Sequence, residues 1–288
     1  MKCLITGANG VVGKNIYSLL ESRSDFDVCG AGRSQADLRS YFVLDLTDKS
    51  SVLDLFAKED FDCVIHCAAN ISKDEPFNVF QNNLTSTLNV VEACLASNVR
   101  KIFHTSGLPV IGKILELPIT ENHPVRPLTA YHYSKYESER VIEYFCHEKI
   151  DFINMRIPSP VGRYMPPRSM FPIFFERIKM GLDITLNGDS RRQMNYLDLR
   201  DLTNFICKAS RVSGVSGVFN VAAKKPYSDR AVAEAIISRM GSKSKIVDNS
   251  NEANLIPQKW EISTEKAKVN FGYTVEYSLC QTIDWLVG

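Results

Sequence analysis

The sequence predicts an α/β protein: a doubly wound parallel sheet followed by a smaller C-terminal α/β lobe. Three observations lead there. Short apolar runs alternate with amphipathic stretches through the first half, the pattern of parallel strands wrapped by helices. The first run feeds Thr6-Gly7-Ala8-Asn9-Gly10-Val11-Val12-Gly13, a glycine-rich turn that opens a helix. After Arg156 prolines crowd in at positions 158, 160, 166, 167 and 172 and the alternation loses its regularity. The chain thus divides into a Rossmann-type unit over residues 1–157 and a lobe over 158–288, some segments of which return to the first unit.

The strands are expected at 2–6, 27–31, 41–44, 63–67, 101–105 and 152–156, each a short apolar run bounded by polar or turn residues. Residues 14–20 form the helix after the glycine turn. A long helix is expected over 76–98, where Phe77, Phe80, Leu84, Leu88, Val91 and Leu95 recur at spacings of three and four as one buried stripe. Pro76 suits its first position and Asn98 its end. A second long helix is expected over 129–147. In the lobe, 170–180, 199–208 and 229–240 read as helices and 218–221 as a strand. No internal repeat or low-complexity tract appears.

Composition narrows the function classes. Of 288 residues, 34 are Lys or Arg and 33 Asp or Glu, a net charge of +1 that offers no electrostatic handle for nucleic acid or an anionic membrane. Apolar runs such as 63–69 fall far short of the ~20 residues of a membrane span. The N-terminus runs straight into glycines without a secretory signal pattern, so the reading is cytoplasmic. The eight cysteines are scattered, and several sit inside apolar runs as small core residues. Cys63 and Cys67 lie in a strand-like segment without the tight turn of a metal or redox pair, and no metal is expected.

The glycine turn carries chemistry. Gly7 permits the tight turn, Gly10 lets backbone N–H groups approach a pyrophosphate, and Gly13 lets helix and strand pack closely, with Val11 and Val12 between them. The helix N-terminus then favours phosphate charge. Such a triplet also serves as an ordinary tight turn. Arg33 stands after the second strand, where an acidic residue would read the ribose of NAD; an arginine there suits a 2′-phosphate, so NADP is preferred over NAD. The alternative is a solvated surface arginine. Asp45, followed by Leu46, can accept from an adenine amino group or cap the helix that starts at Lys49.

Tyr131-His132-Tyr133-Ser134-Lys135 begins a helix, so Tyr131 and Lys135 lie one turn apart on one face. A neighbouring ammonium lowers a tyrosine's pKa from about 10 toward the range of a usable acid or base. Such a pair moves a proton on and off an alcohol or carbonyl while a nicotinamide takes or gives hydride. The competing reading is a fortuitous pair on a solvated helix.

Together, TGANGVVG from Thr6, HCAA from His66, NLTSTLNVVEA from Asn83, YHYSK from Tyr131 and the closing WEISTEKAKVNFGY with SLCQTIDWL resemble the extended short-chain dehydrogenase/reductase family, in its order and spacing and over essentially the whole chain. Most members act on nucleotide sugars as epimerases, dehydratases or ketoreductases. The resemblance implies that Gly7, Gly10, Val11, Val12 and Gly13 hold the pyrophosphate, that Cys67, Ala68 and Ala69 with Pro158 flank the cofactor, and that Tyr131 and Lys135 are the catalytic pair. It implies substrate contacts for Asn83, Ser159 and Arg192, the last reading the substrate diphosphate with its planar fork of donors. A surface salt bridge of Arg192 with Asp189 or Asp198 is the alternative. Members often form homodimers through the helices matching 71–98 and 129–147.

Departures narrow the activity. The family's catalytic Ser or Thr stands five residues before the glycine of its Val-Tyr-Gly signature; here Gly107 holds that place before Gly112, with Ser106 one residue earlier. In an extended strand Ser106 points to the other face, so a direct catalytic role requires the strand end to turn; otherwise its hydroxyl makes a loop hydrogen bond. Leu108 and Pro109 replace the acid-base carboxylates of the related dehydratases, and Leu108 also replaces the cysteine of epimerase-reductases. Ser159 replaces a usual substrate-binding Asn. What remains is NADPH-dependent reduction of a nucleotide-activated 4-keto-6-deoxy sugar. The runner-up is an NAD-dependent 4-epimerase, and a catalytically silent NAD(P)-binding regulator or scaffold is the alternative from another class.

Overall fold

The computed structural model describes residues 1–187, 192–249 and 259–288. The chain enters as β1 (Lys2–Thr6), α1 (Val11–Glu21), β2 (Asp27–Gly32), β3 (Tyr41–Val43), α2 (Lys49–Lys58), β4 (Cys63–His66), α3 (Pro76–Leu95), β5 (Lys101–Gly107), α4 (Ala130–Cys146) and β6 (Asp151–Ile157). It continues as β7 (Ser159–Val161), α5 (Met170–Lys179), β8 (Ile184–Asn187), β9 (Gln193–Met194), β10 (Tyr196–Asp198), α6 (Leu199–Ala209), β11 (Gly217–Asn220), β12 (Tyr227–Ser228), α7 (Asp229–Arg239), β13 (Ile246–Asn249), α8 (Glu265–Phe271) and α9 (Leu279–Val287).

Seven strands form one parallel sheet in the order β11-β6-β5-β4-β1-β2-β3, so the winding reverses between β1 and β4. Ligands of doubly wound sheets bind at that crevice, beyond the carboxyl ends of the strands. Near-continuous apolar strands follow from burial on both faces. Leu4, Val64, Ile102 and Phe152 point toward α2, α3 and α4, whereas their neighbours Ile5, Ile65, Phe103 and Ile153 point toward α1, α6 and α8. Beyond β6, the pairs β7–β10, β8–β13 and β9–β12 build the lobe around α5, α7 and α9. The segments α6, β11 and α8 return to the main sheet. Among the described residues no helix is long and apolar enough to cross a membrane.

Two expectations change. Helix α3 starts at Pro76 but ends at Leu95, and of the expected apolar stripe only its C-terminal end, Val91 with Leu95 partly, reaches the core. Val79, Asn83, Thr87, Val90, Val91 and Cys94 are buried, while Phe77 is 89% exposed and Leu88 37%. The buried face is small and partly polar because α3 packs closely on α4, through Asn83 Nδ2 to Ser134 Oγ at 2.9 Å and Thr87 Oγ1 to Ser138 Oγ at 2.9 Å. Among the cysteines, Cys3 and Cys63 face each other across β1 and β4 with their sulfurs joined, whereas Cys29, Cys94, Cys146 and Cys207 are free and buried in the core.

Candidate active site

The turn after β1 is shaped for a close-lying ligand. Gly7 has φ +66°, and a Cβ there would lie 2.7 Å from the Ala68 backbone. A Cβ on Gly13 would lie 2.3 Å from the Gly7 carbonyl oxygen, so only glycine lets α1 rest on the turn. Helix α1 is capped by Gly10 without a side-chain hydrogen bond and carries no acid in its first turn. Its leading N–H groups and the positive end of its dipole are therefore open to an anion.

They face a cavity of about 220 Å³ lined by Gly7, Gly10, Arg33, Asp45, Leu46, Cys67, Ala68 and Ala69. Asn9, Ser34, Asn70, Asn82, Asn83 and Ser86 also line it. Sequence reasoning missed Asn9 and Ser34, which are joined at 3.2 Å; their signal was adjacency to the glycine turn and to Arg33. Asp45 does not cap α2: it accepts from the Thr47 N–H at 2.9 Å, and Asp48 takes the cap. The cradle, the uncapped helix end and the arginine fit the pyrophosphate and adenosine of a dinucleotide. There Gly7 and Gly10 would hold the phosphates, and Arg33 and Asp45 would meet the adenosine end.

Helix α4 starts where Thr129 accepts from the His132 N–H, and carries Tyr131 and Lys135 one turn apart. Burial raises the Tyr131 pKa. Lys135 is 3% exposed, with its ammonium 3.4 Å from His104 Nε2. Burial is the main reason its pKa falls to about 8, against the pull of Cys67 and Glu139. Burial pushes Cys67 up to about 12, with Lys135 opposing, so the ammonium is felt at the cavity wall.

The strand end does not turn to bring Ser106 round. Gly107 is extended at φ −115°, ψ 135°. Ser106 is 2% exposed and donates to Glu139 Oε1 at 2.5 Å. Arg156 holds the same carboxylate through Nη2 at 2.8 Å and Nε at 3.1 Å. Period-two alternation puts Ser106 and His104 on the α4 face of β5, so Ser106 serves a buried ion pair. Leu108 and Pro109 start a short 3₁₀ turn, with Leu108 fully buried.

A second cavity, of about 530 Å³, is lined by Val11, Ile71, Ser159, Arg192, Tyr196 and Asp229 together with methionines 165, 170 and 194. It brings Ser159 and Arg192 together. Asp198 is not a partner of Arg192, because it caps α6 and binds Arg200 at 2.7 Å; Asp189 lies outside the described residues. Asn83 belongs to the first cavity. Its side-chain oxygen accepts from the Asn70 N–H at 2.6 Å, and its amide donates to the Asn70 carbonyl and Ser134, so it clamps the loop after β4. Pro158 is buried at the turn from β6 to β7 and lines neither cavity. Val12 and Gly13 stand behind the turn in α1.

Known proteins resemble this chain along its length. A UDP-glucose 4-epimerase of Halalkalibacterium halodurans is 26% identical, the match covering 98% of this chain and 93% of the relative. A dTDP-4-dehydro-6-deoxyglucose reductase of Escherichia coli is 24% identical over 84% of this chain and 83% of its own. The crystal structure of a UDP-N-acetylglucosamine 4-epimerase from Bacillus cereus superposes with a TM-score of 0.88 at 22% identity, covering 99% of this chain and 94% of that one. Residues 3–222 match the model of the NAD dependent epimerase/dehydratase family. With the glycine cradle and the Tyr131–Lys135 helix in place, the chain belongs to that family.

Proposed function

We propose that this protein is an NADPH-dependent reductase of a nucleotide-activated 4-keto-6-deoxy sugar. The observation that carries the reading is the segment after β5. The buried Leu108 and the proline beside it offer no carboxylate for eliminating water, which leaves hydride transfer and one proton site. The cofactor supplies the hydride. Tyr131 gives its proton to the forming alkoxide, and the Lys135 ammonium lowers the tyrosine's pKa against the burial that raises it. Ser159 and Arg192 face the sugar and its diphosphate from the second cavity. Arg33 and Ser34, at the adenosine end of the first cavity, supply donors for a 2′-phosphate and favour NADP. The dTDP-4-dehydro-6-deoxyglucose reductase among the relatives acts on a substrate of this class, as its name states.

The second reading is a 4-epimerase that retains NAD, favoured by the UDP-glucose 4-epimerase that matches 98% of the chain. The deciding experiment is calorimetric titration of the purified protein with NADPH and NADH, alongside NADPH oxidation in the presence of 4-keto-6-deoxy sugar nucleotides. Preferential NADPH binding, lost ~10- to 100-fold in Arg33→Ala with NADH unaffected, supports the reductase. Tyr131→Phe is expected to lower turnover ~100-fold or more. NAD that copurifies, with sugar interconversion and no net oxidation, would shift the assignment to the epimerase. An unchanged rate in Tyr131→Phe would remove that residue from the chemistry.

A further inference from the structure

Below the reacting pair, β4 and β5 bury two histidines that hydride transfer does not use. His104 is fully buried and His66 is 1% exposed, with ring centroids 5.8 Å apart. Each is held by neutral side chains on at least one ring nitrogen. His66 meets Thr6 Oγ1 at 2.8 Å through Nδ1 and Thr87 Oγ1 at 3.2 Å through Nε2. For His104 the partners determine the tautomer. Asn154 Oδ1, an acceptor, lies 3.0 Å from Nδ1, while the Asn154 amide nitrogen donates to the Glu139 carbonyl and fixes which way the side chain points. Nδ1 therefore carries the proton, and Nε2 keeps a lone pair. That lone pair faces Lys135 Nζ at 3.4 Å, and His104 is the hydrogen-bond partner of Lys135 among the described residues.

We propose that His104, locked by Asn154 with its proton on Nδ1, is a positioning residue that holds the Lys135 ammonium, one turn along α4 from Tyr131. The inference rests on the reading of Tyr131 and Lys135 as the reacting pair. An ammonium on a four-carbon stem is mobile, and burial without an acceptor drives it toward the neutral amine. The other titratable groups near it are His66 on β4, Cys67 after β4, and Tyr131 and Glu139 on α4. The two histidines are held neutral by burial, and Glu139 is engaged by Arg156 and Ser106. Cys67 stays a thiol. A neutral imidazole is thus the acceptor within reach, and it adds no second positive charge.

The test follows the Lys135 titration directly, in isotope-labelled lysine spectra with its resonance assigned by its loss in Lys135→Met. In His104→Phe the titration midpoint should fall by ~1 to 2 pH units, because the charged form loses its acceptor. His104→Gln places an amide oxygen where Nε2 stood and should restore most of the shift. Asn154→Leu, which releases the tautomer from the other side, should lower the midpoint without touching Lys135. An unmoved midpoint in a folded His104→Phe protein, or a fall that His104→Gln does not reverse, overturns the proposal. The pH profile of turnover separates it from the functional reading. If the Lys135 midpoint moves and is rescued while the profile stays fixed, the positioning role stands and Lys135 leaves the mechanism.

Discussion

Gly107 is where a single residue decides most. In the proposed reaction a hydroxyl at that position would polarise the substrate carbonyl, and without one that work would fall to Tyr131 and solvent. The backbone has not adapted to exclude a side chain. At φ −115° it is ordinary extended structure, and a Cβ there meets only Pro109 Cδ at 3.5 Å, normal van der Waals contact. Gly107→Ser should therefore fold with an unchanged melting temperature and raise kcat by on the order of tenfold or more. Steady-state kinetics of wild type and variant measure it, and a folded variant with lower kcat would show that the open space at Gly107 is needed by the substrate. Ser106 cannot substitute, since its hydroxyl is committed to Glu139. Replacing Ser106 by alanine should act on stability before it acts on rate, because it removes a bond to a buried carboxylate.

Among the elements, α3 and α4 carry more apolar surface than the fold uses. Phe77 is 89% exposed and Tyr144 78%, and Phe80 and Tyr133 pair with ring centroids 6.1 Å apart on the same outer face. Exposed apolar residues grouped in this way are the expected make-up of an interaction surface. A second copy of the chain is the occupant expected from the sequence, related by a two-fold axis that sets α3 and α4 against their equivalents. Light scattering should give the dimer mass for the wild type and the monomer mass for the double variant Tyr144→Glu with Leu88→Glu. Both proteins should retain cofactor binding, because neither residue lines the first cavity. A wild type that runs as a monomer at micromolar concentration would dismiss the assignment. The glycine of α1 behaves differently: Gly13→Ala should lower the melting temperature and cofactor affinity together, since its Cβ would meet the Gly7 carbonyl.

For the molecule as a whole, the buried histidines couple folding to acid. His66 has its pKa pushed down to about 3 by burial, with Lys135 adding to the effect, while in the unfolded chain it titrates near 6.5. His104 is shifted the same way. As pH falls from 6.5 toward 3 the unfolded state takes up protons that the folded state refuses, so stability drops with falling pH. The slope approaches ~1.4 kcal/mol per pH unit for each such histidine. Urea midpoints measured from pH 7 to pH 4 should fall, and more gently in His66→Gln, whose side chain does not ionise. Equal slopes in both proteins would show that His66 is protonated in the folded state.

Legibility in the sequence followed the range of the interaction. The parallel strands of the first unit, the glycine cradle and the Tyr131–Lys135 spacing were readable because strand period, tight turns and helical spacing are local consequences of covalent geometry. Arg33 was readable as well, since its place follows from the end of β2. Tertiary packing decided the rest. The large apolar residues of α3 have helical spacing, yet spacing does not say which face is buried: Phe77 and Leu88 stay exposed while Val91 is covered, and close packing on α4 selected smaller and more polar side chains for the rest of that face. His66 and His104 stood in the sequence as strand residues 38 positions apart. Only the pairing of β4 with β5 stacks them, and only the docking of α4 gives His104 a lysine to hold. The sequence by itself determined the sheet, the glycine cradle and the Tyr131–Lys135 spacing on α4. Which side chains pack around that pair, and which face of α3 stays exposed, the tertiary structure decided, because burial and long-range contact exist only once the sheet has closed under its helices.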